Sequence, residues 1–255
     1  MFNITPISAF SDNYIWLIDN GKQAVVVDPG DAAPVLTYLQ QHQLELVQVL
    51  VTHHHFDHVN GIAALRQHCP QIVVVAPADS PYKEADISVC EGDKITVLDH
   101  VFSVITVPGH TLDHICYYNA KQQVLFSGDT LFAGGCGRLF EGTAQQMSDS
   151  LAKLSALPAN TQVFCAHEYT LANLDFALSV DSQNQALIER MQHCKLLRHN
   201  NLPTVPTTMD IELSTNPFLR CQQAAIIAAA NLTDTNQGGS TVDIFAAIRR
   251  LKDQF

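Results

Sequence analysis

From Thr52 to His58 the chain reads Thr-His-His-His-Phe-Asp-His. Imidazole and carboxylate at this density point to metal binding. His53 and His55 are two residues apart, so in an extended segment they project one way and His54 the other. Asp57 and His58 follow where the chain starts to coil. The stretch offers two ligand groups, His53/His55 and Asp57/His58, which is what two neighbouring metal ions need. Any single one of the 12 histidines in 255 residues reads better as an ordinary surface or core imidazole. At this composition, however, the whole pattern arises by chance in on the order of a few chains per thousand, so the cluster outweighs that reading.

Three further residues sit just past the end of an apolar strand. His110 follows Val-Ile-Thr-Val-Pro-Gly, Asp129 follows Val-Leu-Phe-Ser-Gly, and His167 follows Val-Phe-Cys-Ala. Loops at strand ends are where a rigid scaffold presents functional groups. Gly109, Gly128 and Ala166 are small enough to let a site close around them. Each residue has a plainer alternative: a turn or cap for Asp129, a solvated turn for His110, a surface position for His167. Together they complete a count, because five histidines and two aspartates make two metal sites if Asp129 is shared. His114 is left outside that count as a supporting or core group.

Strands and helices are needed to carry these groups. Residues 13–18 and 24–27 read as a hairpin around Asp19-Asn20-Gly21, with Asp28-Pro29-Gly30 stopping the second strand. A short helix over 33–41 precedes the apolar strand 46–51, the ligand loop and a helix ending near Cys69-Pro70. Residues 71–75 form a buried strand. Residues 76–93 are polar and punctuated by prolines. Short strands over 95–98, 101–107, 115–118 and 124–127 then make a meander. Thr143 and Gln146 form a capping box that opens a helix closed by Pro158, and 162–165 is the last strand of this part. Beyond residue 170 helices dominate, over 170–180, 183–199, 221–230 and 241–252, and 202–209 reads as a loop. An α/β domain over residues 1–168 followed by a helical domain over 169–255 is therefore expected.

The net charge of −11 and pI near 5.4 argue against nucleic acid as the main partner, since phosphate binding needs Lys and Arg gathered on one face. The seven cysteines contain no Cys-x-x-Cys pair, so neither a disulfide framework nor a thiolate zinc site is indicated, and a reducing compartment fits. No basic region and apolar core mark a secretory signal at Met1 and after, and no run approaches the ~20 apolar residues needed to span a bilayer. A soluble cytoplasmic protein is expected.

His-x-His-x-Asp-His with a later Gly-His, Gly-Asp and His resembles the metallo-β-lactamase superfamily. Over nearly the full length the chain resembles glyoxalase II, the hydroxyacylglutathione hydrolases. The carrying stretches are residues 12–16, 52–61, 108–111, 127–132, 135–138 and 165–170. Asn216-Pro217-Phe218-Leu219-Arg220 and the basic ending over 249–255 complete them. The metal motif alone indicates the superfamily; the helical tail points to this one family. The resemblance implies a four-layer αββα sandwich followed by a small C-terminal helical domain. It implies His53, His55 and His110 on one metal, and Asp57, His58 and His167 on the second, with Asp129 between them. It also implies two divalent ions per chain, zinc first and iron or manganese next, since imidazole and carboxylate suit all three. Glutathione would be bound through Arg138, Tyr169, Arg249 and Lys252.

The implied reaction is hydrolysis of S-(2-hydroxyacyl)glutathione, chiefly S-D-lactoylglutathione, to a 2-hydroxy acid and glutathione, the second step of methylglyoxal detoxification. Asp57 would also orient the metal-bound hydroxide. A monomer without nucleic-acid or membrane partners is expected. Two positions depart from the family pattern. Phe140 stands where an aromatic hydroxyl is common, which removes one hydrogen bond to substrate. Asp113 stands where glycine is common, which is expected to affect a turn more than the chemistry. Ile244, Ile248 and Leu251 form an apolar stripe at helical spacing, with Arg249 and Lys252 as neighbours beside it. A solvated basic helix end would account for these two, but in so acidic a chain paired cations also suit a ligand bearing carboxylates. The rival readings are a lactonase, a persulfide dioxygenase, a tRNA-processing nuclease, a β-lactamase and a non-catalytic binding protein. They are disfavoured respectively by the helical tail (for the first two), the low pI, the lack of an export signal, and a complete ligand set.

Overall fold

The computed structural model describes residues 2–231 and 239–255. Met1, part of the stretch searched above for a signal, and residues 232–238, inside the expected helical domain, lie outside the described residues. The chain divides into two compact units. One comprises Met1–Thr106 and Asp113–Gly128, the other Val107–Leu112 and Asp129–Phe255.

The first unit opens with β1 (Asn3–Ala9), β2 (Asn13–Asp19) and β3 (Gln23–Val27). It continues through α1 (Ala32–His42), β4 (Glu45–Leu50), α2 (Phe56–Val59), α3 (Ile62–His68), β5 (Val73–Pro77) and β6 (Ile87–Val89). These six strands form one sheet in sequence order. Tight turns make β1, β2 and β3 antiparallel, and the helical crossovers make β3, β4 and β5 parallel. The expected hairpin is thus present. Its turn is fixed by Asn20, whose side chain accepts from the amides of Lys22 and Gln23. Leu17, Val26, Val49 and Val74 pack with Val35, Leu39, Ile62 and Leu65 from α1 and α3. Burying each of these side chains contributes roughly 1.5–3 kcal/mol, and this core is what holds the end of β4 still.

A second group of strands in this unit is the expected meander: β7 (Lys94–Val97), β8 (His100–Thr106), β9 (Ile115–Asn119) and β10 (Val124–Gly128), antiparallel throughout. Tyr117 on β9 donates its hydroxyl to the Val51 carbonyl at 2.8 Å, tying the meander to the chain just past β4. Burial pushes this phenol well above its ordinary pKa, with the Asp28 charge adding to the effect, so it stays a donor.

The second unit contains β11 (Leu131–Phe132), β12 (Gly135–Cys136), α4 (Ala144–Ser155), β13 (Gln162–Cys165), α5 (Thr170–Val180) and α6 (Gln185–His199). It ends with β14 (Thr207–Thr208), α7 (Met209–Thr215), a 3-10 turn (Pro217–Leu219), α8 (Ala224–Asn231) and α9 (Thr241–Gln254). The Thr143/Gln146 capping box is present, and α9 opens on a second one made by Ser240 and Asp243. Glu212 is fully buried. Its carboxylate accepts from the Gly134 amide, Thr207, Asn216 and Arg190, which binds α7, α6 and the β11–β12 turn together.

Two points differ from the sequence reading. β1, β6, β11 and β12 were not anticipated, since Pro6 interrupts the first and the others are only two or three residues long. The supposed loop over 202–209 contains β14 and the start of α7, because Thr207 and Thr208 pair with Val163 and Gln162. The helix expected after the ligand loop is α3, and the coiling expected at Asp57 and His58 is the separate short α2. Between them lies Gly61, where a Cβ would lie 2.5 Å from the Pro29 carbonyl oxygen.

Candidate metal centre

In the first unit β4 delivers the chain into the ligand stretch and α2 turns it back, so Asp57 and His58 do lie where coiling begins. His53 and His58 are fully buried, while Asp57 is about one-third exposed. The rings converge: His53 lies 4.7 Å from His55 and 4.1 Å from His58 between centroids. His58 Nε2 is 3.5 Å from Asp57 Oδ2, and the Asn13 amide donates to that same oxygen at 2.9 Å.

Asp28 holds this arrangement in place. Its carboxylate accepts from the Thr52 amide and the Thr52 hydroxyl, both at 2.7 Å, and stands 3.1 Å from His58 Nδ1. Because the Thr52 proton is committed to Asp28, its oxygen can only accept from His53 Nδ1, 3.1 Å away. That fixes the His53 tautomer and leaves the Nε2 lone pair for a ligand role. From sequence Asp28 was read only as a strand stop. The available signal was its place at the end of a buried strand adjacent to β4, where functional loops gather. His114, set aside as a supporting or core group, is fully buried and stacks on His53 with centroids 4.6 Å apart and planes at 20°.

In the second unit His110 Nε2 and His167 Nε2 lie 3.5 and 3.4 Å from the same oxygen, Oδ2 of Asp129. These separations exceed the 2.7–3.2 Å of a direct N–H···O bond. One carboxylate oxygen thus stands almost equally far from two imidazole nitrogens. His110 donates from Nδ1 to the Arg138 carbonyl at 2.8 Å, so its Nε2 carries the lone pair. A Cβ on Gly137 would sit 2.0 Å from the Asp129 carbonyl oxygen and 3.1 Å from His110 Nδ1; only glycine allows this approach.

The expected substrate residues also lie in this unit. Tyr169 stacks flat on His167, at 4.6 Å and 7°, with Phe132 edge-on to both. The Arg138 side chain is more than half exposed, and its Nε donates to Asp253 Oδ1 at 3.2 Å. Arg249 donates to that same oxygen at 3.0 Å and to the Cys136 carbonyl at 2.9 Å, beneath the Phe218 ring. Lys252 donates to the Ala172 carbonyl at 3.0 Å between the rings of Phe176 and Phe255. The alternative of a solvated helix end does not hold for Arg249, which is buried and held within the unit, while Lys252 is half-buried. Burial and the neighbouring Arg249 charge lower the Lys252 pKa below the ordinary lysine value. Phe140 is exposed and meets His110 edge-on at 5.3 Å.

Residues 10–167, which include every expected metal ligand, match the family model of the metallo-beta-lactamase superfamily, and this defines the fold class. Residues 168–255 match the model described as hydroxyacylglutathione hydrolase C-terminus. The chain is 49% identical to the hydroxyacylglutathione hydrolase of Pseudomonas paraeruginosa over the whole of both sequences. It belongs to the hydroxyacylglutathione hydrolase family, the glyoxalase II hydrolases, and is accordingly an enzyme. Among solved structures, ETHE1 from Myxococcus xanthus is similar with a TM-score of 0.66 and 27% identity, covering 99% of this chain and 98% of that one. TTHA1623, solved in a di-iron-bound form, is similar with a TM-score of 0.56 and 28% identity over 64% of this chain and 91% of its own. Among the described residues, no helix is long and apolar enough to cross a membrane.

Proposed function

We propose that the chain hydrolyses S-(2-hydroxyacyl)glutathione thioesters, S-D-lactoylglutathione foremost, with two divalent cations. His53, His55 and His110 would hold one cation, Asp57, His58 and His167 the other, and Asp129 both. The observation that carries this reading is the Asp129 carboxylate oxygen between two imidazole nitrogens, together with a donor set free of thiolate. Imidazole and carboxylate suit zinc first, then iron or manganese. Bound there, such ions lower the pKa of water toward about 7 and polarise a carbonyl.

The protein's own groups do the rest. Thr52 and the Arg138 carbonyl fix the rings of His53 and His110. Asn13 holds one oxygen of Asp57, which orients the carboxylate toward an attacking water. The leaving thiol has an ordinary pKa of about 8.5 and departs as thiolate without a general acid, so none is required of the site. The exposed guanidinium of Arg138 grips a glutathione carboxylate with paired hydrogen bonds. Tyr169 and Lys252 add a hydroxyl and a second cation, and Arg249 keeps Asp253 and Arg138 in place. Phe140 supplies an apolar edge where a hydroxyl would have made one more bond. A cytoplasmic monomer fits the acidic composition and the cysteine usage.

The test is the loss of the thioester bond of S-lactoylglutathione, followed with purified, chelator-stripped and re-metallated protein. Turnover should disappear on stripping and return with zinc, iron or manganese. Undiminished turnover in the stripped protein would overturn the reading.

A further inference from the structure

Within the first unit, three residues of the ligand stretch meet a second segment in reverse order. The Ile115 amide donates to the Thr52 carbonyl at 2.9 Å. The His114 ring stacks on His53. Nδ1 of His54 lies 2.9 Å from Oδ1 of Asp113. Each step forward along 52–54 is a step back along 113–115, as in an antiparallel pair, where facing residues project to the same side. The carboxylate can only accept, so His54 donates from Nδ1. The Asp113 side chain is 2% exposed against 20% for His54, which makes Asp113 the anchored partner. Gly128 permits the approach from beneath: a Cβ there would sit 2.5 Å from the Thr52 hydroxyl and 2.8 Å from the His114 ring.

The backbone at 113 is not in the positive-φ region, so nothing about that turn calls for glycine. The expectation that Asp113 acts on a turn is therefore replaced by a direct contact with the metal loop.

We propose that Asp113 is a positioning residue for that loop: by holding His54 on one side of the extended segment it turns His53 and His55 together to the other. Side chains alternate along such a segment, so fixing the middle one fixes its rotation about its own axis. The stack of His114 on His53 then sets how far the first ligand reaches. This inference rests on the reading that the loop binds divalent cations.

The test compares metal-loaded wild type with Asp113→Gly, Asp113→Asn and His54→Leu in competition against a chromogenic chelator. It also uses the visible absorption of cobalt-substituted protein. Supporting partners of ligands are typically worth 10–100-fold in metal affinity. Asp113→Gly and His54→Leu should yield metal to the chelator about 10–100-fold more readily and alter the cobalt spectrum. Asparagine still accepts from Nδ1, so Asp113→Asn should stay close to wild type. A variant carrying both Asp113→Gly and His54→Leu should be no worse than the poorer of the two alone, since both remove the same contact. Should Asp113→Gly fail to fold, His54→Leu carries the comparison. Wild-type retention and an unchanged spectrum in Asp113→Gly or His54→Leu, or an Asp113→Asn as impaired as Asp113→Gly, would overturn the proposal alone. A wild-type chain that takes up no metal would instead sink the parent reading, and this inference with it.

Discussion

The ligand stretch of the first unit and helix α9 of the second both gather polar side chains, and they hold them by opposite means. In the ligand stretch two of the rings are each oriented by a short contact to an oxygen: Thr52 for His53, Asp113 for His54. The stretch keeps the rings of His53, His55 and His58 close together. In α9 the cations are held by carbonyls and aromatic faces, Cys136 and Phe218 for Arg249, Ala172 and Phe176 for Lys252. The first arrangement prepares donors for a ligand, and the second uses charge largely to pack a helix. A cluster of charge in sequence therefore states what is present, while its partners decide what is available to bind.

The comparison can be broken at several points. Asp129→Ala removes the shared carboxylate and should cost more than a supporting partner does, at least about 100-fold in kcat, with loss of bound metal; steady-state rates beside elemental analysis would show it. Asp28→Asn keeps the shape and removes the charge beside Thr52 and His58. It should lower metal affinity by about 10–100-fold in chelator competition while leaving KM near wild type once metal is saturating. Arg249→Met should do the reverse. It strands the Cys136 carbonyl and should cost roughly 1–3 kcal/mol of stability in urea unfolding, with metal retention unchanged. If Arg249→Met instead released metal, the division between the two regions would be wrong.

Lys252 gives a smaller effect with a defined sign. Its folded pKa is lowered, chiefly by burial and then by Arg249. The unfolded chain therefore keeps its proton to higher pH, and stability should rise slightly with pH through that window. Substrate binding should move the other way, with KM for the glutathione thioester rising at a pH below the ordinary lysine value of 10.5. A KM profile unchanged in Lys252→Ala would remove Lys252 from the substrate contacts. The smallest expected effect is on thiol reactivity. Burial pushes Cys136 up to about 11 and Cys165 and Cys221 to about 12, so alkylation at pH 8 should label exposed Cys90 long before these three.

Much of the ligand half could be read from the chain because it is local. The spacing of His53, His55, Asp57 and His58 encodes alternation followed by a helical turn, and α2 supplies that turn. His110, Asp129 and His167 were recognisable because each follows an apolar strand and a small residue. Asp28 escaped because an aspartate before Pro-Gly is a sufficient explanation of a strand end, and its contact with Thr52 spans two neighbouring strands. The contact of Asp113 with His54 escaped for the same reason. In the second unit the helices expected over 170–180 and 241–252 are present, the latter running on to Gln254. Short β14 was not legible, since two threonines become a strand only when β13 is there to pair. Nor could the sequence show that Arg249 is buried, because its stripe of Ile244 and Ile248 says which face packs but not what lies above it.

The most direct test of the central claim is the metal content of the purified chain and of Asp129→Ala, measured by elemental analysis beside thioester turnover. About two divalent ions per wild-type chain are expected, with both content and turnover falling in the variant. A wild-type protein that hydrolyses S-lactoylglutathione at full rate with one ion or none, or an Asp129→Ala variant that keeps its full complement, would contradict it.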